Sequence, residues 1–124
     1  MIVAGVGFRS HATSIEIVRI VRRAQEQSGV DAQRLATPDF KSQDSALLEA
    51  ASILGLRLMV IDRAKLGVAQ ARCRTRSRIR TIATGTASIA ESCALAMLED
   101  PAQLILPQIA SARATCALAS GRLP

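Results

Sequence analysis

The apolar run MIVAGVG at residues 1–7 leads into T-S-I-E at residues 13–16, and this succession of a strand-like segment and a capped helix constrains the chain more than any other feature. A short branched run closed by glycine suits a strand buried on both faces. In T-S-I-E the Thr13 hydroxyl can take the Glu16 amide while Glu16 reaches back to the Thr13 amide, the reciprocal pairing of a capping box. Behind it Ile17, Val18, Val21 and Ala24 fall on one helical face, with Glu16, Arg19, Arg23 and Glu26 on the wet side, and Gly29 supplies the stop.

The same unit recurs along the chain. RLAT at 34–37 reads as a short strand ended by Pro38, which keeps Thr37 out of helical angles. Leu47, Ala50, Ala51 and Leu54 then repeat at helical spacing up to Gly55, and LRLMVI at 56–61 is a strand branched enough to be central in a sheet. Asp62 is placed to cap a short helical turn before Gly67. S-I-A-E at 88–91 is a second capping box, opening a helix that turns Ile89, Cys93, Ala96 and Met97 inward and stops before Pro101. QLILP and ATCALA close the chain as strands. This order predicts an α/β fold, a three-layer α/β/α sandwich around a mixed sheet of about five strands, with residues 1–124 forming a single domain.

Apolar residues make up 49% of the 124 and charged ones 21%, the balance of a chain that buries a core. Phe8 and Phe40 are its only aromatics, so that core is aliphatic. No apolar run reaches the ~18 residues of a membrane helix, and no signal peptide is evident, so a cytoplasmic location is expected. Cys73, Cys93 and Cys116 are odd in number, widely spaced and free of any CxxC, which indicates buried or incidental thiols and no metal site. No cofactor is indicated. The net charge of +6 favours anionic partners without choosing among them.

In open α/β sheets ligands gather beyond the C-terminal ends of the parallel strands, and two segments suit that place. In GVGFRSHATS, Gly5 and Gly7 permit close backbone approach and Arg9 brings charge, although tight strand-to-helix packing accounts for a GxG equally well. In TGTASIAE, Thr86, Ser88 and the free amides of a helix start form an anion-accepting corner, with Ser88 and Glu91 already accounted for by the capping box. A triad can be drawn from Ser10 or Ser14, His11 and Asp39, but nothing in the spacing supports it. Lys41 and Asp44 read as a surface ion pair. RCRTRSRIR at 72–80 carries five arginines; as a helix it forms no stripe, and a loop through Arg76 followed by a helix capped by Ser77 is preferred. With no Tyr or Trp beside it, this run reads as a solvated basic edge or as one wall of a site for carboxylates or phosphates.

MIVAGVGFR, LATPDFKSQDSALLEAASILGLRLMVI, TRSRIRTIATGTASIAESCAL and ATCALA, in this order, resemble the cobalamin-biosynthesis family formed by CobE and the C-terminal domain of CbiG. The resemblance spans almost the whole chain. It rests on the GxG after the first strand, the Lys41 segment with its Leu/Ala helix, and the G-x-x-S-[IV]-A-E pattern at 85–91. CbiG proteins carry additional N-terminal sequence, so the chain looks more like the stand-alone members of the aerobic pathway. The resemblance implies binding of a precorrin-type tetrapyrrole as an accessory or carrier, with Gly5, Gly7, Arg9, Lys41, Thr86, Ser88 and Glu91 as site residues. Arg76 and Arg78 join them because they flank the motif, while no residue is given a catalytic role. It also implies contact with other corrin-pathway enzymes as a further expectation. Asp44 departs from the family, where a Glu is expected. The alternatives are a hydrolase opening the δ-lactone of a precorrin-5-type intermediate, as CbiG does, and a basic nucleic-acid module.

Overall fold

A computed structural model describes residues 1–69 and 89–124. Five strands, β1 (Ile2–Phe8), β2 (Arg34–Pro38), β3 (Arg57–Ile61), β4 (Glu99–Ala110) and β5 (Ala114–Arg122), form one mixed sheet in the order β3-β2-β1-β5-β4. β1, β2 and β3 run parallel, while β5 lies antiparallel between β1 and β4. The helices among the described residues are α1 (Ser14–Ser28), α2 (Ser45–Leu54), α3 (Arg63–Ala69) and α4 (Ile89–Ala96).

Alternation along the strands divides the apolar residues between two cores. Ala4, Val6, Leu35, Cys116 and Leu118 meet Ile17, Ile20 and Val21 of α1 and Leu47 and Ala50 of α2 on one face. Val3, Ala36, Ile61 and Ala119 meet Leu66 of α3 and Cys93, Ala94 and Leu95 of α4 on the other. The chain is therefore a three-layer α/β/α sandwich, as its element order predicts. Burial pushes the Cys116 thiol up to about 12, so it stays protonated and packs as an apolar side chain.

Local signals set the helix ends. Thr13 and Glu16 complete the capping box in both directions, and Gly29 closes α1 at φ 75°. Asp44 opens α2 by accepting the Ala46 and Leu47 amides at 2.9 and 3.4 Å, and Gly55 closes it at φ 69°. These αL positions are where glycine avoids the Cβ penalty. Asp62 accepts the Lys65 amide at 2.9 Å, and the helix it opens runs past Gly67 to Ala69. The short turn expected there is a full helix.

β3 is at the margin of the sheet rather than central. Of its five residues only Ile61 is buried, and Val60 is 48% exposed. Each step β1–α1–β2–α2–β3 moves outward in one direction, so the third parallel strand becomes an edge whatever its branched content. The centre belongs to β1, whose residues Val3 to Val6 are all buried. At the opposite edge β4 extends well beyond QLILP and contains Pro101 and Pro107. Proline is tolerated there because an edge strand has one side with no ladder to complete.

Thr37 carries the single buried side-chain oxygen without a hydrogen-bond partner among the described residues. A desolvated, unpaired hydroxyl costs about 1–3 kcal/mol. Thr37→Val keeps the shape and removes that cost, so it is expected to stabilise the protein by about 1 kcal/mol, or roughly 3–5 °C in Tm for a chain of this size. Thermal unfolding followed by circular dichroism checks this, and an unchanged or lower Tm would show that the hydroxyl is satisfied.

Candidate functional site

A cleft of about 730 Å³ opens beyond the C-terminal ends of β1 and β2. Gly7 and Phe8 at the end of β1, with Arg9 just after it, form one side. Pro38 at the end of β2 and Phe40 and Lys41 in the 3-10 turn Asp39–Lys41 form another. α3 adds Arg63 and Leu66, and α4 adds Ile89. The remaining wall is the tight β4–β5 turn, from Ala110 to Thr115, including Arg113. The cleft sits where the path across the sheet reverses: successive parallel strands lead away from β1 on one side, while the return over α3 and α4 delivers β4 and β5 to the other. Such a switch point leaves a crevice for a ligand.

Its charge is one-sided. Arg9, Lys41, Arg63 and Arg113 line it, and no Asp or Glu does among the described residues. Both aromatic residues of the chain line it too, each beneath a cation: Lys41 Nζ lies 4.9 Å from the centre of the Phe8 ring and the Arg63 guanidinium 5.8 Å from that of Phe40. Arg113 is aimed by α1, since its Nη1 reaches Glu16 Oε1 at 3.5 Å while its carbonyl accepts the Arg9 amide at 2.9 Å. Arg23, also from α1, ties the same turn by donating to the Ala110 carbonyl at 3.0 Å. The Thr13 amide, with its hydroxyl and Arg113 assisting, holds Glu16 below the usual carboxylate range. A lowered folded-state pKa means that this tie is present at neutral pH and is lost as acidification protonates Glu16.

The candidates from the sequence divide into three groups. Gly7, Arg9 and Lys41 come together in the cleft. Gly5 and Glu91 do not belong to it. A Cβ on Gly5 would drive into the Ala90 carbonyl oxygen and lie 2.5 Å from the Ala94 nitrogen, so this glycine serves the close packing of α4 on β1. Glu91 is fully buried and its Oε2 accepts the Gln108 amide at 2.9 Å. The β4–β5 register shifts between Leu106 and Ile109, a bulge beside Pro107 where a buried carboxylate can take an amide released from the ladder. Arg76, Arg78, Thr86 and Ser88, with the cap assigned to Ser77 and the capping box of Ser88, lie outside the described residues.

Two other readings change. Lys41 and Asp44 do not form a surface ion pair, because Asp44 is spent on the α2 cap and Lys41 lies over Phe8. Asp suits that cap where Glu does not, since the shorter side chain reaches the first amides of its own helix. Ser10 Oγ and His11 Nδ1 lie 3.3 Å apart on the surface, and among the described residues no carboxylate joins them to complete a triad. Sequence reading missed Phe8, Phe40, Arg63 and Arg113. The one signal for the phenylalanines was their rarity, and the arginines are brought in only by the fold. Among the described residues no group of His, Cys, Asp and Glu is arranged to hold a metal, and no helix is long and apolar enough to cross a membrane.

The pattern of the family described as cobalamin synthesis G C-terminus matches residues 2–119. The chain belongs to this family. Protein CobE from Sinorhizobium sp. is 31% identical over 121 residues, covering 95% of this chain and 79% of that protein. The crystal structure of CobE, a protein from the cobalamin (vitamin B12) biosynthetic pathway, superposes with a TM-score of 0.87 at 25% identity over 100% of this chain and 92% of the other. That of the cobalamin biosynthesis protein chiG from Agrobacterium tumefaciens gives 0.79 at 29% identity, with 98% of each chain covered. The cobalamin synthesis G C-terminus family thus places the chain among cobalamin-biosynthesis proteins, in agreement with the resemblance its motifs carry.

Proposed function

We propose that this protein binds a precorrin-type tetrapyrrole in the cleft at the ends of β1 and β2, acting as an accessory or carrier in the aerobic corrin pathway. One observation carries the reading: four cations and both phenylalanines of the chain line a single cleft that holds no acidic side chain among the described residues. Intermediates of corrin synthesis combine an apolar conjugated ring with many acetate and propionate arms. Arginine forks and a lysine suit the arms, and apolar and aromatic walls suit the ring.

The lining favours binding over lactone opening, because the described residues offer no carboxylate or imidazole there to activate water. Titrating the purified protein with hydrogenobyrinic acid and following the visible spectrum tests the proposal. A saturable change at micromolar ligand that weakens with added salt is expected. No change at high micromolar ligand, or equally tight binding of a generic single-stranded oligonucleotide, would overturn it.

A further inference from the structure

Phe40 is an aromatic residue that neither core of the described residues uses. It lies in the turn Asp39–Lys41, is 56% exposed, and belongs to neither hydrophobic core. Phe8, in contrast, packs against the core beneath α1 and α2. The turn that carries Phe40 is nonetheless firmly held. Pro38 precedes it at φ −68°, the Asp39 carbonyl accepts both the Ser42 amide at 3.2 Å and the Ser42 hydroxyl at 2.9 Å, and the Asp44 amide donates to the Lys41 carbonyl at 3.1 Å. Asp44 then caps α2, which ties the turn to a helix packed on the sheet. An exposed ring on a fixed turn at the lip of a basic cleft loses little freedom on meeting a ligand.

We propose that Phe40 is the stacking platform for the conjugated ring of the ligand, and that it determines the preference of the cleft for a macrocycle over other polyanions. This rests on the reading of the cleft as a tetrapyrrole site. The surrounding cations attract any polyanion of suitable size, so charge supplies affinity without discriminating among them. A π-face rewards only a ligand that brings one of its own. Arg63, poised over the Phe40 ring, is close enough to turn to a carboxylate arm when the macrocycle takes the ring face.

The test compares the wild-type protein with Phe40→Ala and Phe40→Tyr against two probes: uroporphyrin I, a conjugated macrocycle with carboxylate arms, and inositol hexakisphosphate, a polyanion without a π-face. Phe40→Ala is expected to weaken uroporphyrin binding roughly tenfold, in the range of stacking contacts removed by alanine substitution. Its Tm and its affinity for inositol hexakisphosphate stay unchanged, and Phe40→Tyr keeps uroporphyrin affinity within about threefold. Unchanged uroporphyrin affinity in Phe40→Ala overturns the proposal, as does an equal loss for both probes, which would mark a disturbed turn. If the wild-type protein itself fails to bind uroporphyrin, the tetrapyrrole reading of the cleft falls first and the role of Phe40 with it.

Discussion

Gly5→Ala is expected to destabilise the protein by roughly 3 kcal/mol or more, a large share of the ~5–15 kcal/mol that holds a domain of this size folded. The added methyl has nowhere to go. It meets the Ala90 carbonyl and the Ala94 nitrogen, both backbone atoms of α4, so the clash cannot be relieved by rotating a side chain. The helix must instead lift from β1, opening the core that Cys93, Ala94 and Leu95 form with Val3. Gly67→Ala is the matching control, because a Cβ there meets nothing within 4 Å and the residue lies inside α3. That substitution is expected to be neutral or to stabilise by about 0.5–1 kcal/mol. Urea denaturation of both variants checks the contrast. A Gly5→Ala midpoint within error of the wild type would mean that α4 does not sit as close to β1 as described.

The second large effect concerns binding. Arg9→Gln with Lys41→Gln is expected to weaken tetrapyrrole affinity about a hundredfold, from roughly tenfold for each charge-assisted contact removed. Arg9 is exposed and Lys41 half-buried, and neither forms an ion pair among the described residues, so folding stability should change by no more than about 0.5 kcal/mol. The control is Arg19→Gln with Arg22→Gln, which removes the same charge from the exposed face of α1, outside the cleft. Its affinity should stay within about threefold of the wild type. Equal losses in the two double variants would show that the overall field of the chain attracts the ligand and that the cleft does not grip it.

The elements whose signals are local were readable in the sequence. The capping box at Thr13, the glycine stops at Gly29 and Gly55, and the apolar faces of α1 and α2 each depend on a few neighbouring residues, and the structure places them as expected. The rank of β3 was not readable, because its place at the edge follows from the direction of two crossovers rather than from its own residues. β4 was foreshortened for a related reason, since its prolines look like breaks until the strand is seen at an edge.

The cleft was half legible. Gly7 and Arg9 lie at the end of a strand, where the rule that ligands gather pointed, whereas Lys41 entered only through the family resemblance. Arg113 and Arg63 reach the cleft from a hairpin turn and a helix far from them in sequence, and nothing local announces that meeting. Gly5 and Glu91 show the converse: residue types that suit a ligand site also suit tight packing and a bulge, and their contacts among the described residues are of that second kind.

The measurement closest to the central claim is a titration of ¹⁵N-labelled protein with uroporphyrin I, mapping which backbone amides shift. A ring seated in the cleft should move the amides of Gly7, Phe8, Arg9, Lys41, Arg113 and Thr115 together, while those of Arg19 and Arg22 on α1 and Leu58 and Met59 on β3 stay still. Shifts centred on α1 or β3, or no shifts in the cleft at saturating ligand, would contradict the account.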